Sequence, residues 1–138
     1  MVKKISILLI SLFVLSCSQN DNTIFSNDHL IGEFSSKEGG QVEFVIKKDE
    51  SGYYLQQLIE NGTTWSPREN LTPMTEKELE NNLGANWKDY TLAGLTSGTC
   101  SYFRGTESKL SSGITIGDQD KSKYFSRCFT DNNFFRVK

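Results

Sequence analysis

The sequence predicts a mainly β domain, either a small antiparallel barrel or a two-layer sheet, with one short helix and one disulfide. From about Leu30 the chain consists of short runs in which apolar and polar residues alternate, separated by residues typical of turns. Such period-2 runs are typical of antiparallel strands. A helix-capping motif interrupts them, and Cys100 and Cys128 are available to form a disulfide. Closure into a barrel would remove the exposed strand edges that invite aggregation.

The strands are placed by the turn residues between them. Asn61-Gly62 is typical of a two-residue type I′ hairpin turn, because both central residues of that turn need positive φ. A polar stretch from 105 to 113 predicts a longer loop. The expected strands are 30–34, 41–48, 53–60, a strand beginning at 63, 88–93, 99–104, 113–116, 123–129 and 133–137.

One helix is predicted at about 76–83. Thr75 and Glu78 have the capping-box spacing, in which each side chain binds the backbone N–H of the other residue. Leu79 and Leu83 lie four residues apart, so they share one face, and Gly84 provides a C-terminal stop. We expect this helix to cover one end of the sheet.

The first seventeen residues have the layout of an export signal. Two lysines precede the apolar run 5–15, which is shorter than the ~20 residues that a membrane-spanning helix needs, and Ser16 and Cys17 follow. That layout is typical of a secretory signal that is removed after export. The segment Val14-Leu15-Ser16-Cys17 resembles the lipobox of bacterial lipoproteins. An ordinary secretory signal with a chance cysteine and an uncleaved anchor helix are the alternatives.

The lipobox resemblance implies where the protein is located. In that family the cysteine thiol carries a diacylglycerol and the freed amine carries a third acyl chain, and two or more chains give stable anchoring. Cys17 would therefore hold the protein in membrane lipid. Ser18, rather than Asp, follows Cys17, and by analogy this favours the outer membrane, facing the periplasm. The expected organisation is a removed signal at 1–16, a lipidated tether at 17–29 and one β-rich domain at 30–138.

Composition excludes nucleic acid as a partner. The full chain has 15 basic and 17 acidic residues, and removal of the signal would leave 13 basic residues against the same 17. Nucleic-acid-binding domains instead carry basic stripes. From Ser101 onward the chain has 7 basic and 4 acidic residues, which is consistent with a basic binding face, although the two halves could interleave in the fold. The residues of that face would be Arg104, Lys121, Lys123, Arg127 and Arg136.

Cys100 and Cys128 form an even pair once Cys17 is assigned to lipid. In an oxidising compartment such a pair closes a disulfide, worth ~3–4 kcal/mol for a loop of this length in the chain-entropy model. Two buried free thiols are the alternative. A metal site is not expected, because His29 is the single histidine and no Cys-x-x-Cys spacing occurs.

No catalytic motif is present. The sequence has neither a Gly-x-Ser-x-Gly elbow nor a Ser-x-x-Lys pair. Asp118-x-Asp120 resembles the opening of a calcium loop, but Lys123 stands where that loop requires Gly. The sequence therefore predicts a protein that is not an enzyme and that has no cofactor or metal.

These features favour a membrane-anchored binding protein that captures or inhibits a protein partner in the periplasm, such as a lytic enzyme or a toxin. The combination of lipobox, small β-domain and disulfide is similar in plan to small lysozyme-inhibitor lipoproteins and to immunity lipoproteins. Polar residues of the 104–123 region are expected to contact the partner. The candidates are Arg104, Ser111, Ser112, Lys121 and Lys123.

Two other functions remain open. Leu30-Ile-Gly-Glu-Phe34 resembles the opening Gly-x-Trp of lipocalins, with Phe34 in place of Trp, and this would imply a small-ligand carrier. The domain could also be an accessory or structural subunit of an envelope complex.

Overall fold

The computed structural model describes residues 24–106 and 122–138. Within these ranges it contains one α-helix, α1, and nine strands that belong to one sheet. The elements are β1 (Gly32–Ser35), β2 (Phe44–Asp49), β3 (Gly52–Ile59), β4 (Thr64–Trp65), β5 (Glu69–Pro73), α1 (Glu76–Leu83), β6 (Thr91–Thr96), β7 (Ser101–Gly105), β8 (Tyr124–Arg127) and β9 (Asp131–Arg136). Two 3₁₀ turns, Asn27–Leu30 and Trp87–Asp89, precede β1 and β6.

Eight of the strands close into an antiparallel barrel. Their order around the barrel is β1, β2, β3, β5, β6, β7, β8 and β9, and β9 pairs again with β1. The short strand β4 pairs only with β3. The predicted mainly β fold is therefore confirmed. Of the two architectures that the sequence allowed, the antiparallel barrel is the correct one.

Because neighbouring strands are antiparallel, each end of the barrel combines the starts of some strands with the ends of others. We call one the disulfide end, since Cys100 precedes β7 and Cys128 follows β8 there, 4.3 Å apart at Cα. The other is the tether end, where residues 24–31 lead into β1. Thr106 and Ser122, which flank the stretch outside the described residues, also lie at the tether end. The predicted disulfide is confirmed.

Side chains that point inward fill the barrel. Phe34, Phe44 and Phe134 from three adjacent strands pack with ring centroids 5.0–5.3 Å apart, within the range of favourable aromatic pairs. Leu30 is fully buried and closes the tether end. The buried members of this core are Leu30, Phe34, Ile46, Leu55, Leu71, Ala93, Leu95, Tyr102 and Phe134.

The helix covers the outer face of β6–β8, so the expectation that it would cover an end of the sheet is wrong. Alternation along the strands points Phe103 and Phe125 outward, where their rings stack 4.8 Å apart. Leu79 and Leu83 of α1 complete this second core. The helix bounds and the Thr75–Glu78 capping box are confirmed.

The structure departs from the prediction at the β3–β4 turn and at β5. Ile59 pairs with Thr64, so the turn between β3 and β4 has four residues instead of two. Its positive φ angles are 53° at Glu60, 59° at Asn61 and 81° at Gly62, and the N–H groups of 62 and 63 both donate to the Ile59 carbonyl. Strand β5 was not predicted. The strand expected at 113–116 lies outside the described residues and stays a prediction.

The described part of the predicted tether, residues 24–29, packs on the barrel. The Ser26 N–H donates to the Leu92 carbonyl at 2.8 Å, and the Gly94 N–H donates to Asn27 Oδ1 at 2.9 Å. The Arg136 guanidinium then closes this end by donating to the carbonyls of His29 and Ile31, at 2.9 and 2.8 Å. Residues 18–23 of the tether and the signal at 1–16 lie outside the described residues.

Candidate functional site

The turn between β8 and β9 presents an aromatic side chain to solvent. It begins at Cys128, and Phe129 at its tip is 95% exposed. A phenyl ring that faces water forgoes the free energy of burial, so this side chain is the first candidate for contact with another molecule.

Three kinds of contact brace this turn. The disulfide joins Cys128 to Cys100 on the neighbouring strand. Arg127 donates from Nε and Nη2 to both carboxylate oxygens of Asp131, at 2.8 and 3.1 Å, and also donates to the Asn82 carbonyl at the end of α1. These contacts fix the backbone on both sides of Phe129, whose side chain projects into solvent.

Two more large apolar side chains are exposed at the same end of the barrel. Ile59, the last residue of β3, is 40% exposed, and Trp65 of β4 is 41% exposed. The remaining exposed large hydrophobic residues of the described chain, Ile24, Phe25 and Val137, belong to the tether end. The disulfide end therefore combines two aromatic rings and an aliphatic side chain.

A pocket of about 200 Å³ opens at the disulfide end, inside the rim of the barrel. Its floor is apolar and consists of Phe44, Leu55, Tyr102 and Phe134. The disulfide forms part of its wall. None of the described residues that line it carries a formal charge.

Polar groups at the pocket rim are available to a ligand. The side chains of Gln57 and Ser126 line the pocket and make no hydrogen bond within the described residues. Burial, with a smaller contribution from the charge of Glu69, raises the pKa of Tyr102 to about 12. Its hydroxyl therefore remains a neutral group at physiological pH.

A polar cluster pins the tether end. Asp28 accepts hydrogen bonds from the Tyr53 hydroxyl at 2.6 Å and from Lys48 Nζ at 3.0 Å. These hydrogen bonds hold the pKa of Asp28 below its ordinary value, and the bond to Asp28 raises the pKa of Lys48. The cluster joins the 3₁₀ turn before β1 to the β2–β3 hairpin.

The structure brings some of the predicted binding residues together at the tether end. The guanidinium of Arg104 lies 4.8 Å from the centre of the Tyr124 ring, and that of Arg136 lies 5.4 Å from the same ring. Lys123 lines a surface pocket together with Arg136. Arg127 is not part of this group, since it is paired at the disulfide end. Ser111, Ser112 and Lys121 lie outside the described residues, so their role stays a prediction.

The sequence did not single out Phe129. The predicted strand 123–129 ends at Phe129, which would make this residue one of several aromatic residues within strands. A usable signal was nonetheless present: an aromatic residue directly after a disulfide cysteine and before Thr-Asp-Asn, which is typical of a turn.

No helix among the described residues is long and apolar enough to cross a bilayer. The same residues contain no group of three or more histidine, cysteine, aspartate or glutamate side chains placed to hold a metal ion.

No protein-family model matches this chain, and neither a curated protein nor a solved structure matches it.

Proposed function

We propose that this chain is a lipid-anchored, non-catalytic binding protein of the bacterial envelope, which captures a protein partner through its disulfide end. The observation that carries the proposal is Phe129, 95% exposed on a turn braced by a disulfide and a bidentate ion pair. Rigid aromatic anchors of this kind dominate the energetics of protein interfaces.

The position of the tether supports this choice of surface. With Cys17 acylated, residues 18–23 connect the lipid to Ile24, and this connection reaches at most ~25 Å when fully extended. The chain meets the barrel at the tether end, so that end stays close to the membrane. The disulfide end, at the far end of the strands, then faces the periplasm.

The partner class follows from the location that the lipobox resemblance implies. A lytic enzyme or a toxin that crosses the periplasm would meet a domain anchored at the outer membrane, and binding would inhibit it. The filled interior, in which Phe34, Ile46 and Leu95 are fully buried, favours this binder over a carrier with a roomy apolar barrel. An accessory subunit of an envelope complex would use the same surface.

The test is a capture experiment with the acylated protein, purified in detergent and immobilised as bait for envelope and secreted extracts. One stoichiometric protein partner is expected. Phe129→Ala should weaken its binding about 30-fold, which corresponds to a hot spot of ~2 kcal/mol. Arg104→Ala tests the alternative surface at the tether end, where the sequence placed a binding candidate, and should leave the affinity nearly unchanged.

Other outcomes of the capture experiment would contradict the proposal. Binding that is lost with Arg104→Ala and kept with Phe129→Ala would move the interface to the tether end. A copurified small molecule without a protein would favour the carrier.

The anchor has its own test. Mass spectrometry of the N-terminal peptide should show an acylated Cys17, and Cys17→Ser should release the protein from the membrane fraction. An intact residue 1–16 segment on the mature protein would contradict the lipobox assignment.

A further inference from the structure

We propose that the pocket at the disulfide end receives one uncharged side chain of the partner, with an apolar body and a polar tip, for which tyrosine is the best fit. This inference rests on the proposed function and specifies the chemistry of the partner at the same surface.

The size of the pocket selects a single side chain. Pockets for drug-sized ligands have volumes of ~300–1,000 Å³, whereas this one measures about 200 Å³. It cannot extend further into the barrel, because Phe34 and Leu95 are fully buried and Phe134 is 3% exposed below it. An acyl chain or a large cofactor would not fit, but one side chain would.

The uncharged lining of the pocket disfavours an ionised occupant. No described lining residue is charged, and an unpaired charge loses its hydration when it enters such a site. Of the charged groups near the pocket, Arg127 is paired with Asp131 at 2.8 and 3.1 Å, and Glu43 accepts from the N–H and hydroxyl of Ser36 at 3.0 and 2.9 Å. Glu69, whose charge acts on Tyr102, is itself exposed to solvent.

The arrangement of apolar and polar lining matches a tyrosine. The rings of Phe44 and Phe134, 5.2 Å apart, offer edges and faces to an aromatic body, as favourable ring pairs require. The Gln57 amide and the Ser126 hydroxyl at the rim can each donate and accept, and neither side chain is hydrogen-bonded within the described residues. The phenolic hydroxyl would enter first and meet the Tyr102 hydroxyl on the floor, which leaves Gln57 and Ser126 to bind the peptide groups of the partner at the rim.

The first test uses small probes and the isotope-labelled, oxidised, acylated protein in detergent. Four N-acetyl amino-acid amides, those of tyrosine, leucine, glutamate and lysine, are titrated while backbone amide shifts are recorded, with N-acetylglucosamine as a fifth probe. The tyrosine amide should shift the signals of Gln57, Ser126 and Asn132. The glutamate and lysine amides should not shift them.

Three variants make the test specific. Ser126→Leu fills the pocket and should abolish the tyrosine-amide shifts, whereas Thr99→Leu adds the same side chain to the neighbouring exposed turn and should leave them intact. Gln57→Lys, at an exposed rim position that does not endanger folding, should admit the glutamate amide that the natural protein rejects.

The following results would overturn the inference: equal shifts with charged and neutral amides, no shifts with any amide, or shifts with N-acetylglucosamine alone, which would indicate a glycan site. If a protein partner is still captured in a way that depends on Phe129, the proposed function stands and only the pocket assignment fails. If the probes bind as expected but no protein partner is captured, the proposed function fails instead.

Discussion

At the scale of single residues, solvent exposure distinguishes the side chains that stabilise the fold from those that can contact a partner. Phe129 and Phe134 lie five positions apart in one hairpin, yet Phe129 is 95% exposed and Phe134 is 3% exposed. The sequence pattern predicts that both lie in strands, because it depends only on residue type and spacing. It does not indicate that a turn places the Phe129 side chain away from the sheet.

This contrast predicts opposite effects on stability. Phe129→Ala should change the free energy of unfolding by no more than ~0.5 kcal/mol, as for other surface substitutions. Phe134→Ala should lower it by ~3–5 kcal/mol, because it leaves a cavity among four aromatic rings. Urea unfolding of both variants measures the difference. A large loss with Phe129→Ala would mean that its ring packs within the domain.

Asp49 makes stability depend on pH in the acid range. The Ser51 hydroxyl, at 2.6 Å, and Arg68 lower the pKa of Asp49 from 3.8 to about 2. The folded-state value is the lower one, so its stabilising contribution is complete above the unfolded-state pKa and is lost as the pH falls through the folded-state pKa.

Asp49→Asn should therefore be less stable than the natural protein at neutral pH, and the difference should vanish as the pH falls to about 2. Unfolding free energies measured over this range check it, with Glu50→Gln in the same turn as the control for a change of net charge. A difference that is constant over the whole range would contradict this role of Asp49.

At the scale of elements, α1 depends on the absence of a side chain beneath it. A Cβ built on Gly94 would lie 2.6 Å from a Leu79 methyl group and 3.3 Å from the Met74 sulfur. Both distances are shorter than ordinary van der Waals contacts, and the first requires the Leu79 side chain or the helix that carries it to shift. The glycine thus allows the helix to approach β6 closely enough to bury Leu79, which is 1% exposed.

We expect Gly94→Ala to lower the free energy of unfolding by ~1–3 kcal/mol through overpacking. Adding Leu79→Ala should produce less than the sum of the two single losses, since the shorter side chain removes the clash and the two sites are coupled. A double-mutant cycle in urea measures the coupling. Strict additivity would show that the glycine matters for another reason.

An element can be predicted from the sequence when residues close to it in the chain determine its ends. The helix at 76–83 was located from the sequence, because Thr75, Glu78 and Gly84 determine its ends through contacts a few residues apart. The β3–β4 turn was not, since the pairing of Ile59 with Thr64 decides how many residues it contains. Strand β5 was missed because only Leu71 among its five residues is buried, which leaves no alternation to detect.

At the scale of the whole molecule, the disulfide acts where the chain would otherwise be least constrained. It joins residues 28 positions apart, at the end of the barrel that lacks the packed tether and its polar cluster. The sequence could predict the pair from cysteine number and compartment alone. It could not show that the bridge flanks both an exposed aromatic turn and a pocket, since these meet only when eight strands close.

Replacing both cysteines, Cys100→Ser with Cys128→Ser, should lower the free energy of unfolding by ~3–4 kcal/mol in the chain-entropy model. Partner affinity should fall as well, because the turn that carries Phe129 loses one of its braces. Thermal unfolding and capture measure the two effects. Unchanged affinity in a folded double variant would show that the disulfide serves stability alone.

The central claim is that the disulfide end, and not the tether end, contacts the protein partner. Photo-crosslinking in living cells tests it most directly, with a photoreactive phenylalanine analogue replacing Phe129 in one strain and Ile24 in another. The two positions are 95% and 71% exposed and lie at opposite ends of the barrel. We predict a protein adduct from position 129 and none from position 24. An adduct from position 24 alone would contradict the account and place the partner at the tether end.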